Sequence, residues 1–208
     1  MNSDISAKKR ILDTAEKLFG ERGIHGVSTA DIAAEAHVNK ALIFYYFGSK
    51  EELYRAVFRK LILSLKDAME ISLKDLEPGL SMIETFVRTH IDFLMHHQNI
   101  MSMIVRELLS SDTELSPLLT EISGFFKPLS NTLLVALATA KKRGEIRDVD
   151  PLQTIVNIIS LDIFFFLGNP ILTMINPLVN SGEFRKQRVD HVVDQLMNGL
   201  RKQSGHMK

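Results

Sequence analysis

A chain of 208 residues, 45% hydrophobic and 24% charged, is long enough for a small domain joined to a larger one and apolar enough to bury a sizeable core. Its 25 basic and 25 acidic side chains cancel, so any polyanion binding must come from the placement of charge rather than from a basic excess. The absence of cysteine excludes a disulfide framework, a thiolate nucleophile and a thiolate metal site, and the opening MNSDISAKKR has no apolar run for a secretory signal.

Helix signals run along the whole chain, and no alternating strand pattern or Asn-Gly hairpin turn appears. A first helix is expected over about 6–22, where Ile11, Ala15 and Leu18, flanked by Leu12 and Phe19, form one apolar stripe that Gly23 closes. Ser28, with Asp31 three positions on, caps a short helix through Ala36; Asn39 caps the next. Ser49 and Glu52 form the capping box of a fourth helix reaching about Leu76, ahead of Glu77-Pro78-Gly79. Further helices are expected near 80–97, 99–111, 117–143, 151–175 and 183–202, about nine in all. Ser116-Pro117 and Asp150-Pro151 are cap-then-proline starts, Pro128 should kink or break its helix, and Gly144 is a stop. The apolar run at Ile163–Leu167 is interrupted by Asp162 and by Gly168-Asn169-Pro170. It thus falls short of the roughly 18 apolar residues of a membrane span, so a soluble, cytoplasmic chain without a membrane partner is expected. Only the tail Gln203–Lys208 reads as disordered.

The first helices are short and closely capped, unlike the long apolar ones that follow. The boundary is placed inside the fourth helix near Tyr54–Lys60, giving domains 1–55 and 56–208. Within residues 28–47, two short helices separated by about three residues are the ingredients of a helix-turn-helix. Ala33, Ala36 and Val38 permit close helix crossing, and Ile32, Val38, Ile43 and Phe47 can face a core. The seven consecutive apolar or aromatic residues Ala41–Phe47 cannot all hide on one face of a two-turn helix, so some mark a contact surface. DNA suits their chemistry: tyrosine hydroxyls at Tyr45 and Tyr46 reach phosphates, Ala41 and Leu42 meet thymine methyls, and Lys40 reaches guanine. The helix start at Asn39 turns a partial positive charge toward the phosphates. Packing of the aromatics on the fourth helix is the alternative, favoured for Phe47 and left open for Phe44. A membrane-surface or peptide-binding helix would use the same exposed aromatics.

The stretch from Arg10 to Gly23 (RILDTAEKLFGERG), then Ser28-Thr-Ala-Asp-Ile-Ala33, then Ala41 to Leu53 (ALIFYYFGSKEEL), resembles the TetR/AcrR family of repressors over about 45 contiguous residues. The resemblance implies an all-α fold, with an N-terminal three-helix helix-turn-helix domain and a larger C-terminal helical domain for ligand binding and dimerisation. It also implies phosphate contacts at Thr29 and Phe44, a groove-facing surface at Lys40, Ala41, Leu42, Tyr45 and Tyr46, and Lys50 beside the DNA backbone. His37 stands where the family usually has glycine, and Phe44 where it usually has tyrosine. The implied function is a ligand-responsive transcription regulator, most often a repressor. It would bind a palindromic double-stranded operator as a homodimer and be released by a small apolar or amphipathic effector.

In the C-terminal part, Ile155, Ile158, Ile159, Asp162 and Phe166 run along one side of 151–175, and Val189, Val192, Val193, Leu196 and Leu200 along 183–202. These are candidate dimer stripes for a four-helix bundle about a two-fold axis, the alternative being the subunit's own core. Phe86, Phe93, Met101, Met103, Phe125 and Phe126 are candidate effector contacts, because Met and Phe surfaces adapt to apolar ligands; core packing is their alternative. His90 and Arg106 are the polar candidates for a ligand head group, and Glu107 reads as structural. Asp92, His96 and His97 have helical spacing that a metal could use, but nothing beside them completes a site, and no metal or cofactor is expected. No Gly-rich phosphate loop, Gly-x-Ser-x-Gly elbow or His-Glu-x-x-His motif marks an enzyme.

Overall fold

Hydrogen bonds from short polar side chains decide where most of the helices begin. The computed structural model describes residues 2–97, 101–104 and 117–202. Helix α1 (Asn2–Arg22) stops where Gly23 turns to φ +71° and donates its amide to the Phe19 carbonyl at 2.8 Å, a left-handed cap that glycine adopts without a Cβ clash. At the start of α2 (Thr29–Glu35), the Ser28 hydroxyl accepts from the Asp31 amide at 3.1 Å. The Asp31 carboxylate in turn accepts from the Ser28 amide at 2.9 Å, completing the expected capping box. Asn39 Oδ1 accepts from the Ala41 amide at 2.8 Å to open α3 (Lys40–Phe47), and Ser49 Oγ accepts from the Glu52 amide at 3.1 Å to open α4 (Lys50–Leu73).

Helix α5 (Leu80–His96) follows, and residues 101–104 are also helical. The rest of the helix expected at 99–111, together with Arg106, Glu107, Ser116 and the tail from Gln203, lies outside the described residues. Helix α6 (Pro117–Lys142) ends ahead of Gly144 at φ +71°. Asp150 opens α7 (Pro151–Ile175) by accepting from the Gln153 amide at 2.7 Å, and Ser181 opens α8 (Gly182–Leu200) in the same way through the Phe184 amide. A 3-10 turn at Pro177–Asn180, which the periodicity does not reveal, links α7 to α8. Among the described residues no strand forms, and a single β-bridge pairs Ile146 with Arg201, so the class is all-α as expected.

Pro128 lies inside α6 without ending it, so the break that the sequence allowed there does not occur, and Gly168-Asn169-Pro170 lies inside α7, the helix expected over 151–175. Each proline costs one amide donor and crowds the carbonyl four residues earlier, and both prolines are exposed. Uninterrupted, α7 is 25 residues long with a mean hydropathy of 1.9 in its most apolar window, long and apolar enough to cross a membrane by length and composition.

Packing groups the chain into two compact units, Met1–Ser64 with His97–Ile122, and Leu65–His96 with Ser123–Lys208. The first buries Ile11, Leu18 and Phe19 of α1, Ile32 and Ala33 of α2, Ile43 of α3, and Leu53, Tyr54, Val57 and Phe58 of α4. The Phe19 and Tyr54 rings meet edge-on at 5.3 Å and join α1 to α4. In the second unit α5 packs against α7 and α8. The loop after α6 ties this unit together: Glu145 Oε2 accepts the Leu80 amide at 2.9 Å, and the Arg147 amide donates to the Leu200 carbonyl at 2.9 Å. A Cβ on Gly79 would stand 3.1 Å from that Glu145 oxygen, so a side chain there would push the carboxylate back by a few tenths of an ångström.

The candidate dimer stripes are corrected. Ile155 and Ile158 of α7 and Val192, Val193 and Leu200 of α8 are buried in the unit's own core, with Ile159, Phe166, Val189 and Leu196 half-buried beside them. Nothing is described of the Asp162 side chain. Because α7 is apolar on every side, periodicity marks no unique inward face. The face left open carries Leu152, Val156, Leu161, Phe164, Leu167, Ile171, Met174 and Ile175.

Candidate nucleic-acid interface

A tight turn sets the crossing of α2 and α3. Ala36 caps α2, its amide donating to the Ile32 carbonyl at 2.9 Å; the Val38 amide reaches back to Ala33 at 3.0 Å. His37 between them is at φ +52°, the left-handed region that the family's usual glycine enters freely and that a β-carbon opposes. The Ala33 and Ala36 side chains are buried at the crossing, as their size allows.

On α3 only Ile43 is fully buried, while Leu42, Tyr46 and Phe47 are half-buried and Lys40, Ala41, Phe44 and Tyr45 are exposed. Tyr45 is 76% exposed and Phe44 45%, so neither serves as a core residue. Both are large apolar bodies held in water by a helix that is too short to turn them inward. The Tyr45 and Tyr46 rings meet edge-on at 5.1 Å, which orders the pair on one side of the helix. The Lys40 ammonium lies 5.9 Å from the centre of the Phe44 ring, placing a cation over the exposed aromatic. Lys8 of α1 stands 5.8 Å from the Phe47 ring in the same manner, a neighbour that no local sequence signal announces. Thr29 is half-buried in the first turn of α2, and Asn39 directs its carbonyl oxygen to the Ala41 amide.

The remaining cations of this unit are largely engaged within it. Lys17 pairs with Glu35 at 2.7 Å, and Lys9 with Asp13 at 2.6 Å. Lys60 of α4 donates to Asp13 at 2.6 Å and to Glu16 at 2.9 Å, bridging α4 to α1. Partial burial pushes the Asp13 carboxyl up, but hydrogen bonds from Lys60 and Lys9 outweigh it and hold the group below its ordinary range. The same burial disfavours the Lys60 ammonium, and its bonds to the two carboxylates outweigh this and raise it. Lys50 donates to the Ile24 carbonyl at 2.9 Å and to the Val27 carbonyl at 3.2 Å. Arg10 Nε donates to the Ala36 carbonyl at 3.3 Å. Sequence reasoning missed these partners because they are 23 to 26 residues apart and no cap or helical spacing connects them.

The candidate effector residues fall into both units. In the second, Phe86 and His90 are buried and stacked with ring centres 6.1 Å apart, Phe93 is buried, and Phe125 and Phe126 are half-buried and edge-on at 5.9 Å. Met101 and Met103 are buried in the first unit, and Arg106 lies outside the described residues. His96 Nδ1 lies 2.8 Å from the Asp92 carbonyl oxygen, and among the described residues no group of three or more histidine or carboxylate side chains could hold a metal ion.

Residues 11–57 match the model of the bacterial regulatory proteins, tetR family. Over 200 residues the chain is 28% identical to the HTH-type transcriptional regulator RutR of Escherichia coli (strain K12), covering 95% of this chain and 92% of that one. It is 34% identical over 89 residues to the HTH-type transcriptional repressor SCO4008 of Streptomyces coelicolor, 43% of this chain and 46% of that one. The fold is similar to that of AibR, solved in complex with isovaleryl coenzyme A and operator DNA, with a TM-score of 0.72 and 20% identity, covering 92% of this chain and 98% of that one.

Proposed function

We propose that this chain, whose residues 11–57 match the model of the bacterial regulatory proteins of the tetR family, is a repressor that holds a palindromic operator as a homodimer and leaves it when a small apolar or amphipathic effector binds. The observation that carries the reading is α3 itself: after a tight turn it commits one side chain, Ile43, fully to the core and leaves Lys40, Ala41, Phe44 and Tyr45 in solvent. A helix of this kind lies in the major groove. Tyr45 and Tyr46 then serve phosphates or base edges, Lys40 a guanine, Ala41 and Leu42 thymine methyls, with Thr29 and Phe44 against the backbone. The α3 N-terminus at Asn39 adds its partial positive charge.

Residues 1–55 form the DNA-binding domain in this reading, and residues 56–208 the effector-binding and dimerisation domain. The dimer face is assigned to the open side of α7 with α8 alongside, since that side removes the most apolar surface from water when a second copy covers it. Phe86, His90, Phe93, Phe125 and Phe126 are assigned to effector binding. An amphipathic ligand is supported by the acyl-coenzyme A bound to AibR. The regulator acts in the cytoplasm without catalysis, metal or cofactor.

The test is selection of duplexes from a randomised library by the full-length protein, followed by a gel shift. The expected result is enrichment of an inverted repeat with half-sites a whole number of helical turns apart. Sequence-independent binding, or none, would refute the operator reading.

A further inference from the structure

Helix α3 is held at both ends by cations from outside it. At its entry, Arg10 of α1 donates to the Ala36 carbonyl, the last residue before the His37 turn. At its exit, Gly48 at φ +77° and Ser49 lead directly into Lys50, whose ammonium donates to Ile24 and Val27 in the loop between α1 and α2. A lysine in the first turn of a helix faces the positive end of the helix dipole, so Lys50 gains nothing from its own helix there. The two carbonyls supply the compensating negative ends, and they take two of its three protons. Those carbonyls belong to a loop with no helical ladder to satisfy them.

We infer that Lys50 and Arg10 are positioning residues for the recognition helix, acting through backbone carbonyls rather than as phosphate ligands. The inference rests on the operator-binding reading and departs from what the family resemblance implies for Lys50. A lysine engaged with phosphate releases about one counterion on binding, whereas one engaged inside the protein releases none. The two roles therefore differ in the salt dependence of affinity. Loss of the Lys50 bonds frees the α1–α2 loop from the α3–α4 junction and lets α3 tilt. Because groove contacts require all their side chains in register, affinity falls even while the domain stays folded.

The experiment measures fluorescence anisotropy of the wild-type-selected duplex with Lys50→Met, Lys50→Gln and Lys40→Met over a salt series, at a temperature where circular dichroism shows each variant folded. Lys50→Met is expected to weaken binding by about tenfold or more at every salt, with the salt slope unchanged. Lys50→Gln, which keeps a donor for one carbonyl, should lose less. Lys40→Met, as the comparison, should reduce the slope by about 0.9. A similar reduction of slope in Lys50→Met would overturn the inference in favour of a phosphate contact. A lowered melting temperature with unchanged affinity would overturn it in favour of a merely structural bond. If the wild type selects no duplex, the operator reading itself fails; hydrogen exchange then decides the inference, with faster exchange across α3 in Lys50→Met supporting it and unchanged exchange overturning it.

Discussion

Replacing Phe164 with alanine tests the dimer face most directly. Phe164 is 68% exposed on the open side of α7, and an aromatic side chain buries about 150–250 Å² in full. The area it has left to bury against a second copy is therefore on the order of 130 Å². At about 25 cal/mol per Å² this corresponds to about 3 kcal/mol in each protomer, and two-fold symmetry counts it twice. Alanine keeps a methyl group and neighbouring side chains close part of the gap. About half of the total, roughly 3 kcal/mol per dimer, should survive as lost affinity, on the order of a hundredfold in the dissociation constant. An exposed position costs the subunit itself less than about 0.5 kcal/mol, so the monomer should melt as the wild type does. Sedimentation of both proteins over a dilution series measures the shift. An unchanged dissociation constant in a folded variant would refute the assignment of this face and leave α7's open side without a partner.

Tyr45→Ala should leave the melting temperature within about a degree or two, since the side chain is 76% exposed. Its affinity for the selected duplex should fall roughly ten- to hundredfold by anisotropy; an unfolded variant would show that the ring is core after all. His37→Gly should raise the denaturation midpoint by the equivalent of about 0.5–1 kcal/mol, the relief of φ +52° being partly offset by the freer unfolded chain; a lower midpoint would mean that the imidazole makes a compensating contact. The Asp13–Lys60 tie should weaken at both extremes of pH. Asp13 is held below its usual 3.8, so its contribution is present above that value and lost as pH falls through the lowered one. Lys60 is raised above 10.5, so its contribution is full below that value and lost as pH climbs through the raised one. Both groups are more than a third exposed, so solvent screening keeps the effect under about 1 kcal/mol. Asp13→Asn should flatten the acid limb of a urea-midpoint profile, and an unflattened limb would show that other carboxylates set it.

The effector reading predicts that medium-chain acyl derivatives raise the melting temperature and weaken operator binding together, because linkage makes the two effects reciprocal. Stabilisation without release from the duplex would separate the pocket from regulation.

What the sequence by itself determined is local. Ser28 with Asp31, Asn39, Ser49 with Glu52, and Asp150 before Pro151 each announce a helix start, because a short polar side chain satisfies an amide only two or three residues away. Gly23 and Gly144 announce stops because a left-handed residue favours the one amino acid without a Cβ. The surplus of apolar residues on α3 also pointed outward from sequence alone, since eight residues offer no room to bury seven of them. Tertiary structure decided the rest. On α7 the apolar pattern is nearly uniform, so only packing against α5 separated buried Ile155 and Ile158 from open Phe164 and Ile171. Lys50 reads in sequence as a cation at a DNA-facing helix start, yet its ammonium is directed to Ile24 and Val27. A cap acts within one turn of its own residue, whereas the facing of a uniform helix and the destination of a long cation depend on groups that the fold brings from elsewhere in the chain.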